Sequence, residues 1–278
     1  MIPVQSVRNP RVVEARKLKQ RKYRLRQGRF LIEDLVILQM ALDAGSRPVE
    51  VFYCEDHLAG PEAHQILSRL RQANAGFVAV SPRVMETLAE RETPHGLVVA
   101  FALFEVPLQG LRLRGHELVV VLDRLQDPGN LGTLVRTADA VGAAAVILIE
   151  PCADPFDPKT VRGTMGSLFN LSLARTLDVV GLFNSLRSMG LRIVGSDTQQ
   201  GEAWGEGLWK GGVALVLGNE ARGLSADTRP FVEAWARLPI LGKAESLNVA
   251  VAGGVLMYAW LRANLGEQDG GHEPGPRA

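Results

Sequence analysis

The sequence has little of what metal sites, disulfide frameworks and membrane spans require. Its 278 residues include two cysteines and five histidines, and none of them form a pair at the spacing of zinc ligands. We therefore expect Cys54 and Cys152 to be reduced and structural, and we expect no metal site. The longest uncharged apolar stretch, Leu247 to Leu261, is shorter than the ~20 residues that span a bilayer. It predicts a buried helix.

Signatures of several enzyme classes are also missing. No G-x-G-x-x-G follows the apolar run Leu118–Leu122 and no Walker loop is present, which disfavours a nucleotide-dependent oxidoreductase. Ser167 and Ser246 lack the context of a nucleophile elbow, so serine hydrolysis is a weak hypothesis. Polar and basic residues occupy Met1–Pro10 where a signal peptide needs an apolar region. We therefore expect a cytoplasmic protein.

Positive charge is concentrated at one end of the chain. The first thirty residues hold ten Lys and Arg side chains against one acid, Glu14, although the whole chain has a net charge of only +1. Such a segment indicates a polyanionic partner. Nucleic acid is the first candidate because phosphate neutralisation supplies most sequence-independent affinity. The alternative is a solvated basic helix that only keeps the protein soluble.

Apolar periodicity predicts two α/β domains. Sparse apolar residues from Asn9 to Arg26 predict one basic helix ended by Gly28, and the run from Phe30 to Leu42 has helical spacing. Short strands and helices then alternate as far as Leu103. After a stretch without strong period, continuous Val/Ile/Leu runs predict the buried parallel strands of a second sheet. The boundaries are 1–106 for the first domain, 107–116 for a linker, 117–265 for the second domain and 266–278 for a disordered tail rich in Gly, Pro and acid.

Three polar, glycine-bearing loops follow predicted strands of the second domain. They begin at Asp123 (DRLQDPGNLGTLVRTAD), at Leu217 (LGNEARGLS) and at Leu238 (LPILGKAESLNVAVA). Ligands of open α/β sheets bind at the carboxyl ends of the strands. These loops are therefore the candidate functional site.

The three loops resemble, in order, the three motifs of the SpoU, or TrmH, family of RNA ribose 2′-O-methyltransferases. The patterns are N-x-G-x-x-x-R, G-N-E-x-x-G and P-x-x-x-x-x-x-S-L-N-V-x-V-A, and together they are specific. The likeness covers Leu118–Asn264. The opening S-V-R-N-P with its basic helix and G-R-F-L-I-E is similar to the substrate-binding domain of many members, a small fold like certain ribosomal proteins.

The resemblance implies an S-adenosylmethionine-dependent enzyme that methylates ribose 2′-hydroxyls of structured RNA, with ribosomal RNA favoured over tRNA. It also implies a trefoil knot in the second domain and a homodimer whose subunits share the active site. General topology rules argue against knots, so the knot rests on the resemblance alone. Carried over by motif, the catalytic residues are Asn130, Arg136, Glu220, Ser246 and Asn248.

Further roles follow from the same resemblance. The cofactor is held largely by backbone of the loops, which implicates Leu217, Gly218, Leu238, Ile240 and Leu247. A glycine at position 218 lets main chain approach a ligand closely. The expected RNA contacts are Arg8, Arg16, Lys17, Lys19, Arg21, Lys22, Arg24 and, near a small-residue turn, Arg162.

Each catalytic assignment has a structural alternative. Asn130 could cap the following helix, and Arg136 could be an ordinary surface residue. Glu220 could form an exposed ion pair with Arg222, which would contribute little. Ser246 and Asn248 could simply begin the last helix.

The expected chemistry is an in-line methyl transfer without a metal. Arginine stays protonated in proteins, so we expect Arg136 to stabilise the developing alkoxide beside a phosphate, while the proton leaves through that phosphate or water. The alternative function is a non-catalytic RNA-binding or ribosome-assembly protein that retains the fold. Neither the methylated nucleotide nor a housekeeping or resistance role follows from the sequence.

Overall fold

The computed structural model describes residues 2–73, 75–198, 200–203 and 205–265. The predicted tail, 266–278, lies outside the described residues. The chain forms two compact units, Met1–Phe104 with Asp154–Asn170, and Glu105–Ala153 with Leu171–Ala278. The sequence-based boundaries differ from this division at two places. The segment Asp154–Asn170 belongs to the first unit, and residues 105–116, predicted as the end of the first domain and a linker, belong to the second.

The helices and strands alternate along most of the chain. The helices are α1 (Pro10–Lys17), α2 (Arg21–Gln27), α3 (Leu35–Asp43), α4 (Gly60–Gln72), α5 (Pro82–Leu88), α6 (Pro128–Ala140), α7 (Pro158–Thr164), α8 (Val179–Ser188) and α9 (Val249–Asn264). The strands are β1 (Arg29–Ile32), β2 (Pro48–Tyr53), β3 (Gly76–Ala79), β4 (Leu97–Ala102), β5 (Leu118–Asp123), β6 (Ala145–Ile149), β7 (Ser172–Thr176), β8 (Arg192–Ser196), β9 (Glu202–Ala203), β10 (Val213–Leu217) and β11 (Ala234–Arg237).

The first unit is built on a mixed sheet in the order β1-β4-β2-β3. Strand β4 pairs antiparallel with both β1 and β2, and β2 pairs parallel with β3. Aromatic rings pack beside β1, where Phe30 lies 4.8 Å from Phe156 and 6.4 Å from Phe101 between ring centroids. Phe156 comes from the segment Asp154–Asn170, which explains why that segment folds with this unit.

The second unit is a parallel sheet in the order β7-β6-β5-β10-β8-β11-β9. Every residue of β5, β6 and β10 is buried, as the continuous Val/Ile/Leu runs predict. Helix α9 packs closely on α6 and β10 through Gly253. A Cβ atom at that position would stand 2.5 Å from Leu134 Cδ2 and 2.6 Å from Leu217 Cδ1. The α/β class predicted from the sequence is confirmed.

The prediction of one basic helix over Asn9–Arg26 is wrong, because the chain turns between α1 and α2. In that turn Leu18, Lys19 and Gln20 donate backbone hydrogen bonds three residues back. The Arg24 guanidinium donates to the carbonyls of Leu18 and Lys19, at 2.8 and 3.0 Å. These bonds satisfy acceptors that a helix end leaves free. Gly28 ends α2 with φ +63°, as predicted.

The helical assignment of Phe30 to Leu42 is wrong in its first residues. Residues Phe30–Ile32 pair with β4 as part of β1. The helix begins later, because the carboxylate of Asp34 caps α3 by accepting from the amides of Val36 and Ile37. A short apolar run does not by itself distinguish a buried strand from a helix.

The two cysteines, Cys54 and Cys152, are free and buried. Within the described part of the chain, no helix has the length and apolar content to cross a bilayer, and no cluster of three or more His, Cys, Asp and Glu side chains could hold a metal ion.

Candidate active site

The three motif loops leave the same edge of the second sheet. The first follows β5, the second follows the neighbouring β10, and the third follows β11. Because parallel strands end at one edge, polar groups from distant parts of the sequence meet there. The side chains that join them come from all three loops.

Glu220 is the acceptor at the centre of this arrangement. Its Oε1 accepts hydrogen bonds from the backbone N–H of Asp127 at 3.0 Å and from Asn130 Nδ2 at 3.1 Å. Its Oε2 accepts from the backbone N–H of Gln126 at 3.2 Å. The second motif is thereby attached to the first through a carboxylate.

The hydrogen bonds affect the acidity of Glu220. Burial raises its pKa, while hydrogen bonds from its own backbone, the Asn130 side chain and the amides of Asp127 and Gln126 together lower it more. The net effect is a pKa below the ordinary value of a glutamate, because the donors favour the charged form. This contribution to stability is fully present above the ordinary pKa and is lost as pH falls through the lowered one.

The third motif is attached through Asn248. Its Nδ2 donates to Asn130 Oδ1 at 2.9 Å, while its Oδ1 caps α9 by accepting from the amides of Ala250 and Val251. Asn130 therefore lies between Asn248 and Glu220 with both ends of its amide bonded. The structure thus brings together three of the five predicted catalytic residues.

Two structural alternatives are answered by this geometry. Asn130 is not the helix cap, because α6 begins earlier, at Pro128, and Asp127 caps it by accepting from the Asn130 amide at 2.8 Å. Proline is favoured at the first helical position after such a cap. Glu220 bonds to Asn130, with no ion pair to Arg222 among the described residues. Asn248 both begins the last helix and contacts Asn130.

A cavity of about 420 Å³ adjoins these contacts. The predicted cofactor residues Gly218, Leu238, Ile240 and Leu247 line it, as do Ser246 and Glu220. The side chain of Leu217 is fully buried in β10 and does not line this cavity, because it packs towards α9. The volume lies in the range of small-molecule and cofactor sites.

Glycine at 218 is required by the loop itself. A Cβ there would stand 2.2 Å from the carbonyl carbon of Gly223, so two stretches of backbone pass at a distance that only glycine allows. Asn219 and Gly223 exchange backbone hydrogen bonds of 3.0 and 2.9 Å across the same turn. The second motif is therefore a tight backbone turn at the wall of the cavity.

Arg136 does not converge with the other predicted catalytic residues. It is exposed on α6 and forms no hydrogen bond or ion pair with any described residue. It follows Asn130 by six positions in the same helix, a rotation of ~240° about the axis. The two side chains therefore leave different faces of α6.

The predicted RNA contacts of the first unit include side chains that are buried or bonded within the protein and side chains that are exposed. Arg24 is buried, 2% exposed, with its Nη2 2.7 Å from Asp154 Oδ2, so it is structural and the assignment to RNA is wrong. Arg162 pairs with Glu90 at 2.5 Å, Lys17 pairs with Glu14 at 2.6 Å, and Lys19 donates to a carbonyl. Within residues 2–30, the exposed side-chain cations for which the structure shows no hydrogen bond or ion pair are Arg8, Arg16, Lys22 and Arg26.

Sequence reasoning missed residues that hold the site together. Gln126 and Asp127 supply two of the amides that bind Glu220, and Asp197 and Arg229 pair at the cavity wall at 3.1 Å. The sequence D-P-G-N, with an aspartate before a proline, is a pattern that indicates the N-cap of α6. The backbone donors had no signal in the sequence.

Two family models match the chain. The model of the SpoU rRNA Methylase family matches residues 117–258. The model of the MRM3-like substrate binding domain matches residues 9–99. The matched ranges lie almost wholly within the parts of the chain that carry the two sheets.

Individual relatives match nearly the whole chain. The 23S rRNA (guanosine(2553)-2′-O)-methyltransferase RlmP of Bacillus subtilis is 31% identical over 93% of this chain and 98% of its own length. The 23S rRNA (uridine(2479)-2′-O)-methyltransferase of Streptomyces viridochromogenes is 30% identical over 88% and 86%.

A solved structure agrees with these matches. The AdoMet-bound rRNA methyltransferase of Sinorhizobium meliloti superposes with a TM-score of 0.84 at 33% identity, covering 94% of this chain and 97% of that one. The family model spans half of the chain and the relatives span nearly all of it. The chain belongs to the SpoU rRNA methylase family.

Proposed function

We propose that the protein transfers a methyl group from S-adenosylmethionine to a ribose 2′-hydroxyl of ribosomal RNA. The observation that carries the proposal is the contact of Glu220, Asn130 and Asn248, which joins all three family motifs beside one cavity. Relatives named as 23S rRNA 2′-O-methyltransferases, one acting on guanosine and one on uridine, favour ribosomal RNA over tRNA.

The cavity residues fit S-adenosylmethionine. Leu238, Ile240 and Leu247 would supply apolar surface to the cofactor, and the carboxylates of Glu220 and Glu245, which also line the cavity, would supply negative charge to its sulfonium cation. Backbone of the Gly218 turn forms part of the wall. When bound, the cofactor supplies an electrophilic methyl group on its sulfonium sulfur.

The chain's own residues position and stabilise the nucleophile. The side-chain amide of Asn130 is hydrogen-bonded at both ends, to Asn248 and to Glu220. It thereby holds the three motif loops in position beside the cavity. Arg136 stays protonated, so it stabilises the 2′-oxygen as negative charge develops and contacts a neighbouring phosphate. The hydroxyl proton leaves to that phosphate or to water. Ser246 also lines the cavity, and positioning supplies much of the rate.

The active enzyme is a homodimer in this proposal. An apolar groove of about 650 Å³ lies between α6 and α9, lined by Thr137, Val251 and Tyr258 among others. Val251 and Tyr258 are 54% and 52% exposed, which is unfavourable for a lone subunit. Arg136 neighbours Thr137 and leaves a different face of α6 from Asn130, so it serves the site of a second copy.

The first unit binds the RNA. Arg8, Arg16, Lys22 and Arg26 are exposed cations on or beside α1 and α2, free to neutralise phosphates. Arg21 also lies on α2 and is half-buried. We assign the protein to the cytoplasm, because ribosomal RNA is there. We assign the trefoil knot of the family to the second unit.

Methyl transfer itself tests the proposal. The protein with labelled S-adenosylmethionine should label unmodified 23S ribosomal RNA, and Arg136→Ala should lower the rate by about a hundredfold or more while cofactor affinity stays unchanged. Label in tRNA alone would mean that the substrate is tRNA and not ribosomal RNA. No label in either RNA, with native pre-ribosomal particles also inert, would favour a non-catalytic RNA-binding protein.

Subunit mixing tests the shared site. Arg136→Ala and Glu220→Ala proteins, each inactive alone, should regain about a quarter of wild-type activity when unfolded and refolded together, because half of random dimers are mixed and each holds one intact site. The measurement is methyl transfer with wild-type protein carried through the same refolding. Activity that stays at the level of the single variants would place Arg136 in its own subunit's site.

Salt dependence tests the RNA surface. Replacing Arg16, Lys22 and Arg26 together by alanine should reduce the slope of log affinity against log salt by about 2 to 3, since each phosphate contact contributes ~0.7–0.9. Arg71→Ala, which removes an exposed cation of α4, is the matched control. A slope equal to that of the wild type would exclude this surface.

A further inference from the structure

A second cavity, of about 800 Å³, shares the Asn219–Gly223 turn with the cofactor cavity. Its remaining wall is formed by residues at the carboxyl ends of β5 and β10, including Asp123, Gln126 and Ser225. Glu220 lines both cavities. A group bound in the second cavity would therefore lie beside the residues assigned to the reaction.

Asp123 is the feature of this cavity that the methyl-transfer chemistry does not use. The residue is fully buried. Its Oδ2 accepts from the Ser225 amide at 2.7 Å, but its Oδ1 has no hydrogen-bond partner. Buried carboxylate oxygens without a donor are rare in folded proteins, because leaving one unpaired is costly. The oxygen is an acceptor without a donor.

The backbone after Asp123 is fixed in an uncommon conformation. Arg124 has φ +56°, a region that non-glycine residues seldom adopt. Its carbonyl accepts from Asn219 Nδ2 at 2.9 Å and from Gln126 Nε2 at 3.0 Å, and these two amides hold the turn. Strain of this kind is retained where the surroundings determine it, often at binding sites.

The side chain of Arg124 lies near the Asp123 carboxylate without a hydrogen bond to it. Its Nη1 is 3.9 Å from Asp123 Oδ1, beyond hydrogen-bond distance, while its Nη2 is 2.6 Å from Asp227. Asp227 is 60% exposed, and exposed pairs contribute little to stability. A ligand that approaches Oδ1 would therefore displace this guanidinium at small cost.

We propose that this second cavity binds the base of the target nucleotide, and that Asp123 Oδ1 accepts a hydrogen bond from a ring N–H of that base. The proposal rests on the proposed function, since it names the part of the RNA that occupies the neighbouring cavity. Gln126 supports it: both hydrogens of its Nε2 are donated, to the carbonyls of Arg124 and Pro151. Its Oε1 is left as a second acceptor.

The chemistry selects between bases. Guanine carries a hydrogen on N1 and uracil carries one on N3, so either can donate to the carboxylate. Adenine and cytosine present a bare ring nitrogen at the corresponding position, which would place a lone pair against a charged acceptor. The cavity accordingly favours guanosine or uridine as the methylated residue. Loss of one hydrogen bond to a charged group corresponds to about tenfold or more in affinity.

The amide of Ser225 reports on the site directly, because it donates to the other oxygen of the same carboxylate. Protein labelled with ¹⁵N-serine is titrated with each of the four nucleoside 5′-monophosphates, and the Ser225 amide resonance is followed. GMP and UMP should shift it at concentrations about tenfold or more below those of AMP and CMP. Equal responses to all four, or no response to any, would overturn the proposal.

Asp123→Asn provides the decisive variant. The asparagine Oδ1 still accepts from Ser225, while an NH₂ group replaces the unpaired oxygen, so the preference should invert towards AMP and CMP. An unchanged order would refute the assignment. Ala226→Trp, at an exposed cavity position, should abolish the shifts without altering Asp123, which keeps the test decisive if the asparagine variant does not fold. Persistent shifts would place the nucleotide elsewhere.

Failure of this inference is distinguishable from failure of the proposed function. S-adenosylmethionine affinity, which reports on the other cavity, should be unchanged in both variants. Methyl transfer to ribosomal RNA without a selective response of Ser225 would refute the base site alone. A selective response of the Ser225 amide without methyl transfer would support the base site and refute the proposed activity.

Discussion

The carboxylate of Glu220 is the contact on which the candidate site depends. It accepts from two backbone amides of the loop after β5 and from the side-chain amide of Asn130 at the start of α6, ninety or more residues away in sequence. Asn248, the residue that caps α9, continues this set of hydrogen bonds by donating to Asn130. Charged acceptors form stronger hydrogen bonds than neutral ones, so the ionised form of Glu220 holds the three loops together.

Close backbone approach is the second constraint. Gly218 lets its own turn fold back on Gly223, and Gly253 lets α9 press against Leu134 and Leu217. The first contact shapes the cavity wall, and the second sets the position of α9, whose first turn is capped by Asn248. The hydrogen-bonded loops therefore rest on a scaffold that larger residues at these two places would displace.

Much of the fold could be predicted, because its signals are local. The buried strands β5, β6 and β10 follow from continuous apolar runs, and Gly28 marks a helix end. Long-range contacts carried no such signal. The pairing of Arg24 with Asp154, 130 residues apart, made a residue of the basic segment structural. Pairing with β4 likewise made Phe30–Ile32 a strand although the spacing was helical.

The candidate site shows the same division. The motifs identified Asn130, Glu220 and Asn248, and the structure joins them. Arg136 stays apart on another face of α6, a position for which the proposed second subunit accounts. Asp123 and Gln126 carried no distinctive pattern, since an unpaired buried oxygen is a property of three-dimensional packing alone.

The most direct measurement of the central claim is the affinity for S-adenosylmethionine of wild-type and Glu220→Gln protein, by calorimetry at neutral pH. The glutamine places an NH₂ group against one of the two backbone N–H groups that now donate to Glu220, so the loops should separate and affinity should fall by about tenfold or more. Arg136→Ala, on a different face of α6 from Asn130, should bind as the wild type does. Wild-type affinity in Glu220→Gln would contradict the account.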